Sequence, residues 1–163
     1  MFGIFGTWIY FIGYMLKSLK QSPTLQSVDK TLVTKNIKVS VILPARNEEK
    51  YIAKCLESLT SQDYANFEII AINDSSTDGT ADIMYQYARK SSSIVVVNAK
   101  PKPDGWVGKN WACYEGYLRA SGDLLLFTDA DTIHSPSVMS LAIGQLEQQN
   151  LDALTAIPKL LCK

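Results

Sequence analysis

Two carboxylates, Asp129 and Asp131, stand i and i+2 at the end of the run Leu124-Leu125-Leu126-Phe127-Thr128-Asp129-Ala130-Asp131. Four consecutive apolar residues read as a strand covered on both faces, and the acids begin where the run stops, at its carboxyl end. In open α/β sheets, ligands bind in the crevice outside those ends. Paired hard oxygen ligands suit Mg²⁺ or Mn²⁺, which take one or two protein carboxylates and complete their shell with phosphate oxygens and water. The alternative chemistry is none: Asp favours the corner after a strand. Two further polar clusters follow apolar runs, Pro44-Ala45-Arg46-Asn47-Glu48 after Val39–Leu43 and Asn73-Asp74 after Phe67–Ile72. Lys109 follows a Gly- and Pro-rich loop at an expected helix start, where backbone amides and a cation would meet phosphate. Taken singly, Asn47-Glu48 could be a helix cap, Asp74 an Asx turn and Lys109 a solvated charge. If three parallel strands end on one edge, they become one site, with base and ribose over the first two strands and a diphosphate over the last.

The elements that must position these groups alternate strand and helix, which predicts an α/β fold with a largely parallel sheet. The strands are Val39–Leu43, stopped by Pro44; Phe67–Ile72; Ile94–Val97; and Leu124–Phe127. Asn47 is placed to cap a helix with Glu48 and Glu49 in its first turn, and Ile52, Cys55, Leu56 and Leu59 form its apolar stripe. A second helix runs through Ile83, Met84 and Tyr87. The loop Lys100 to Gly108, stiffened by two prolines, leads to a helix from Lys109 to Ala120, which Gly122 is placed to end. Ser135 and Pro136 read as cap and first turn of a helix reaching Gln149. The stretch from Leu151 to Ile157 would be one more strand.

The 163 residues suffice for one globular domain, and sixteen basic residues balance sixteen acidic ones. That balance argues against nucleic acid as a partner. Three widely spaced cysteines, Cys55, Cys113 and Cys162, form no CxxC pair and read as reduced thiols. The first sixteen residues carry no charge, and Lys17 and Lys20 come directly after. As a helix they span roughly 24 Å at about 1.5 Å per residue, which predicts a retained transmembrane or anchor helix over residues 1–17, with Trp8, Tyr10 and Tyr14 at the interface. A helix lying on the domain or the membrane surface is the alternative. The positive-inside rule places the domain carboxyl-terminal to this helix in the cytoplasm. Residues 18–37, polar and containing Pro23, read as a linker to a domain over residues 38–163.

In this order and spacing, VSVILPARNEE, IIAINDSSTDGT, GWVGKNWA and LLLFTDADT resemble the family 2 inverting glycosyltransferases. The resemblance implies a Rossmann-like GT-A domain that uses nucleotide-diphospho-sugars and Mg²⁺ or Mn²⁺. It implies that Asp129-Ala130-Asp131 is the DxD motif, Asp131 ligating metal and Asp129 lying nearer the ribose and diphosphate as well as the metal. Asp74 would bond the nucleobase, Pro44 to Glu48 (with Ala45 and Arg46) would contact the nucleoside, and Lys109 would lie beside the phosphates. Asn73 departs from the Asp that many members carry. The segment Pro103 to Asn110 is similar to membrane-associated members that glycosylate polyisoprenoid lipids, of carotenoid or hopanoid type.

The implied reaction is a single displacement at the anomeric carbon with inversion, a carboxylate removing the acceptor's proton. In the family that base lies downstream of the DxD strand. Only 32 residues follow Asp131, and their carboxylates, Glu147 and Asp152, read as a solvated helix residue and a turn residue. The chain therefore reads as the donor-binding half of a longer enzyme, through a truncated or split reading frame or a partial sequence, and is expected to bind nucleotide weakly and transfer little or no sugar; the genomic sequence after Lys163 would decide. Two rivals remain: a non-catalytic, membrane-tethered binding module on the same fold, and a haloacid dehalogenase-type phosphatase with Asp129 as nucleophile. The second needs a downstream Ser or Thr, Lys and acidic pair that 32 residues do not supply. His134, the lone histidine, could approach the metal or merely precede a helix.

Overall fold

The hydrophobic run at the start of the domain forms β1 (Val39–Ala45), buried along its whole length because it is an inner strand of the sheet. The computed structural model describes residues 2–21, 25 and 36–156. After a helix α1 (Phe2–Gln21) come β1, α2 (Ile52–Thr60), β2 (Phe67–Asn73), α3 (Thr80–Lys90), β3 (Ile94–Asn98), α4 (Gly108–Tyr117), β4 (Leu124–Phe127) and α5 (Val138–Gln149). The sheet is parallel throughout, in the order β3-β2-β1-β4. The chain steps outward from β1 to β3, then returns to place β4 on the other side of β1. The strand order thus reverses between β1 and β4, and in such sheets the ligand crevice opens at the reversal.

The period of two along the strands separates two cores. Val39, Val41, Leu43 and Ala45 of β1, with Ile69 and Ala71 of β2, face Ile52, Cys55, Leu56 and Leu59 of α2, Met84 of α3, and Met139 and Ile143 of α5. On the opposite face Ile42, Ile70, Ile72 and Val97 pack on Ala112 of α4. Gly116 lets α4 settle there. A Cβ at that position would stand 2.6 Å from Ile72 Cδ1 and 2.8 Å from Ile42 Cγ2.

Several expectations are corrected. Pro44 does not stop β1, which continues through Ala45 paired with Asn73. Ile42 accepts from the Thr128 amide on the β4 side, while Ala45 accepts from the Asp74 amide on the β2 side. Alternation along a parallel strand therefore turns the Pro44 nitrogen toward β4, beyond β4's last paired residue, Phe127. No ladder bond is lost. Nor is β4 covered on both faces among the described residues: Leu125 and Phe127 are 39% and 52% exposed, because α4 packs over β1 and β2.

Asn47 caps nothing, since α2 begins five residues later without a side-chain cap. Glu48 and Glu49 accordingly lie in the loop before it. α4 ends at Tyr117 rather than Ala120, and α5 starts at Val138, so Ser135 and Pro136 lie in the preceding turn. Residues 151–156 form no strand, and Ile157 lies outside the described residues, as does Cys162. Ser18 to Gln21 of the expected linker are helical, and most of its remainder lies outside the described residues.

The amino-terminal expectation is changed in kind. α1 is a helix, but no helix among the described residues is long and apolar enough to cross a membrane. Thr7, Tyr10, Tyr14 and three glycines dilute the hydropathy of the run, and Lys17 cuts it. Phe5, Trp8, Ile9, Phe11 and Leu16 are more than half exposed.

Candidate functional site

At the β1/β4 reversal lies a cleft of about 340 Å³ lined by Pro44, Ala45, Arg46, Glu48, Asp74, Gly108, Lys109, Ala112, Asp129, Ala130 and Asp131. Pro44, Ala45, Arg46, Glu48, Asp74, Lys109, Asp129 and Asp131 are all on its wall, brought there by four different segments, whereas Asn47 of the same loop is not. A cleft of this size falls within the range of small-molecule sites. Sequence reasoning missed Gly108 and Ala112. Gly108 lies where a Cβ would come within 3.5 Å of Asp74 Oδ2, and Ala112 is the α4 residue that faces the sheet.

The first wall is a loop held by its neighbour. Asn47 adopts a left-handed conformation (φ 57°) and its Oδ1 accepts from the Thr77 amide at 2.8 Å. The Glu48 amide donates to Thr80 Oγ1 at 2.8 Å, and Glu49 Oε2 accepts from the Gly79 amide at 3.1 Å. Asp78 accepts from the Thr80 hydroxyl and amide and the Glu49 amide, and these bonds, the hydroxyl's foremost, hold its carboxyl below the ordinary range. The polar residues that read as a helix cap thus latch the β1 loop onto the β2 loop. Asn73 has a structural role too: it accepts from the Ser76 amide and donates to Asn98 Oδ1. Asp74 is not an Asx turn. Its side chain, 15% exposed, faces Arg46 at 3.8 Å.

The second wall carries the acids. Lys109 Nζ lies 2.5 Å from Asp129 Oδ1, and this bond, with the nearby charge of Asp131, raises the lysine's pKa against the opposing effect of burial. It is no free surface charge. Ala130 is 4% exposed and sits in the core between the two acids, so Asp129 and Asp131 flank an inward anchor. Beneath them Cys55 is buried, its thiol donating to the Asp129 carbonyl at 3.6 Å. Burial first, then the charges of Asp131 and Asp129, push its pKa up to about 12, so it stays a thiol. His134 Nε2 is 2.9 Å from Thr128 Oγ1, and burial lowers the ring's pKa.

The expected carboxylates past the DxD strand do not join the cleft. Glu147 is half-buried rather than solvated, with Oε2 enclosed and without a hydrogen-bond partner. Asp152 is exposed. Two residues before the cleft-lining Gly108, Trp106 meets Trp111 edge to face and Tyr114 at a tilt, with ring centroids 5.3 and 5.1 Å apart. Trp106 and Tyr114 remain 39% and 38% exposed.

A parallel sheet whose order reverses under a cleft of mixed acidic and basic groups is an open α/β architecture with its ligand crevice at the reversal. Comparison with known proteins gives the family. The model for "Glycosyl transferase family 2" matches residues 40–159. The 4,4'-diaponeurosporenoate glycosyltransferase of Staphylococcus haemolyticus is 36% identical over 120 residues, covering 73% of this chain and 31% of that protein. Staphylococcus aureus TarS, solved with UDP-GlcNAc, superposes with a TM-score of 0.60 at 29% identity, covering 70% of this chain and 32% of the other. The mannosyltransferase PcManGT of Pyrobaculum calidifontis, solved with GDP-Man and Mn²⁺, shares the fold at 22% identity, with a TM-score of 0.65 over 84% of this chain and 39% of the other. The chain belongs to glycosyltransferase family 2. It spans about a third of the length of the curated relatives it matches.

Proposed function

We propose that this chain binds a nucleotide-diphospho-sugar with Mg²⁺ or Mn²⁺ in the β1/β4 cleft and supplies the donor-binding half of an inverting sugar transfer. The observation that carries this reading is the meeting of Arg46, Asp74, Lys109, Asp129 and Asp131 on one cleft at the reversal of the sheet. Relatives and structural neighbours of glycosyltransferase name, solved with UDP-GlcNAc or GDP-Man, support it.

The donor set fits the metal. Asp129 and Asp131 are hard oxygen ligands, and among the described residues no group of three or more His, Cys, Asp or Glu could hold an ion alone. Two carboxylates suit an ion that draws its remaining ligands from phosphate and water. When bound, that ion supplies charge neutralisation for the departing diphosphate. On this reading Lys109 leaves Asp129 for a phosphate oxygen and adds a charge-assisted hydrogen bond. Asp74, steered by Arg46, accepts from the nucleobase edge. Pro44 and Ala45 form the floor beneath the nucleoside. No residue is assigned as general base, since neither Glu147 nor Asp152 lines the cleft.

The acceptor on this reading is an isoprenoid-type lipid, and the domain lies on the cytoplasmic face of a membrane. Three features support it: the acceptor in the staphylococcal relative's name, the partly exposed Trp106 and Tyr114 on either side of the cleft-lining Gly108 and Lys109 in the chain, and the exposed apolar surface of α1 with Lys17 and Lys20 in its last turns. α1 would then lie in the interface. The test is calorimetric titration of the full chain with UDP-GlcNAc and GDP-mannose, with and without Mn²⁺. Saturable, Mn²⁺-dependent binding that Asp131→Ala abolishes while circular dichroism is unchanged is the expected result. A folded sample with no metal-dependent nucleotide binding sinks the donor-site reading.

A further inference from the structure

The acid-bearing loop has no regular structure of its own. β4 ends at Phe127 and α5 begins at Val138, so the carboxylates of Asp129 and Asp131 are held by what ties residues 128–134 down. The ties converge on α2. The Asp129 carbonyl accepts from the Thr132 amide at 3.2 Å and from Cys55 Sγ at 3.6 Å. The His134 amide donates to Ser58 Oγ at 3.1 Å, and Ser58 Oγ itself donates to the Cys55 carbonyl at 2.8 Å. The His134 ring then closes the loop on itself: Nε2 and Thr128 Oγ1 lie 2.9 Å apart, one proton between them. His134 is therefore fixed at both its backbone and its ring, to α2 on one side and to the residue preceding Asp129 on the other.

We infer that His134 and Thr128 form a clamp that, anchored through Ser58 on α2, sets the spacing and direction of the Asp129 and Asp131 carboxylates. Both are positioning residues: neither is on the wall of the cleft, and the His134 ring is engaged by Thr128 rather than offered to an ion. The clamp answers a chemical requirement of the proposed function, on which this inference rests. Two carboxylates without further protein ligands can hold a small octahedral ion only if their separation is imposed from outside. Residues that orient ligands this way typically change metal affinity by 10–100-fold when removed.

The test uses the full chain and four variants, Thr128→Val, Thr128→Ser, His134→Ala and His134→Gln. Free Mn²⁺ is followed by electron paramagnetic resonance in the presence of saturating UDP, and amide hydrogen exchange is followed at residues 128–134. Thr128→Val and His134→Ala should each weaken Mn²⁺ binding at least tenfold and speed exchange at Thr132 and His134, their effects not adding when combined. Thr128→Ser, which keeps the hydroxyl, and His134→Gln, which keeps a hydrogen-bonding nitrogen near Nε2, should restore most of both. A merely structural role would move exchange and melting but leave Mn²⁺ affinity untouched, and that outcome overturns the inference. So does unchanged exchange in Thr128→Val. Failure of the unaltered chain to bind Mn²⁺ with UDP is a different result: it overturns the donor-site reading itself, and this inference falls with it.

Discussion

Glu68 lies far from the cleft, at the opposite end of the sheet, yet it determines where β4 starts. Its carboxylate accepts from Ser40 Oγ at 2.6 Å, from the Ser121 amide and hydroxyl at 2.8 and 2.9 Å, and from Lys38 Nζ at 3.3 Å. One side chain thus joins the residue before β1, the start of β1 and the turn that delivers β4. Burial opposes ionisation, but the bonds from Ser40, Ser121 and Lys38 outweigh it and lower the pKa from 4.5 to about 2. A carboxyl whose folded pKa lies below its unfolded value adds stability that is complete above pH 4.5 and is lost as pH falls through 2. At about 1.4 kcal/mol per pH unit the difference corresponds to roughly 3 kcal/mol. The side chain is 19% exposed, so solvent screening reduces this to about 2 kcal/mol. Glu68→Gln should therefore lower the urea-unfolding free energy by about 2 kcal/mol at pH 7. The difference between the two proteins should shrink between pH 4.5 and 2, because only the unaltered chain loses this carboxylate. Urea titrations at about pH 7, 4.5, 3.5 and 2.5 measure it. If the two curves stay parallel down to the lowest pH, the network does not stabilise the ionised carboxylate, and the account of how β4 is pinned is wrong.

Lys109→Ala should weaken Mn²⁺-dependent nucleotide binding by about tenfold or less, as expected for one half-exposed charge-assisted bond, and Lys109→Arg should recover part of it; unchanged affinity by calorimetry would remove Lys109 from the phosphate site. Gly116→Ala should cost about 1–2 kcal/mol in urea unfolding, because overpacking against Ile72 and Ile42 exceeds the helix propensity gained. Gly13→Ala, with nothing within 4 Å of its added Cβ, provides the contrast and should not destabilise. The full chain should co-sediment with anionic vesicles and lose most of that binding on Trp8→Glu with Phe11→Glu; equal sedimentation of the variant would rule out α1 as the surface anchor.

The sheet was legible because its signal is local. Four short apolar runs, each closed by polar residues, can only be strands or short buried helices, and the helical stripes between them settle the choice. The wall of the cleft was legible for the same reason, since parallel strands put their carboxyl ends on one edge whatever their order. The local signals failed where tertiary contacts redirect a residue. Asn47 and Glu49 have the chemistry of a helix start but are drawn to Thr77 and Gly79 on the next loop. Pro44 looks like a strand stop, and becomes harmless only because β4 is too short to reach it. Leu125 and Phe127 read as core because apolar runs do not reveal that a strand is at an edge. The Glu68 network spans 53 residues between Glu68 and Ser121, a pairing no periodicity encodes.

The charges on the cleft wall give the proposed metal dependence a reason that the spacing of Asp129 and Asp131 alone does not. Four carboxylates, Glu48, Asp74, Asp129 and Asp131, face two cations, Arg46 and Lys109, and the cations are already engaged, Arg46 with Asp74 and Lys109 with Asp129. A diphosphate approaching this wall alone meets net negative charge. Lys109 cannot turn to a phosphate without leaving Asp129 uncompensated. A divalent ion held by Asp129 and Asp131 would supply positive charge against the excess of two negative charges, and Lys109, no longer needed by Asp129, would be free to bond phosphate. On the proposed reading metal and donor therefore enter together, and the lysine holds the place of the metal until they do.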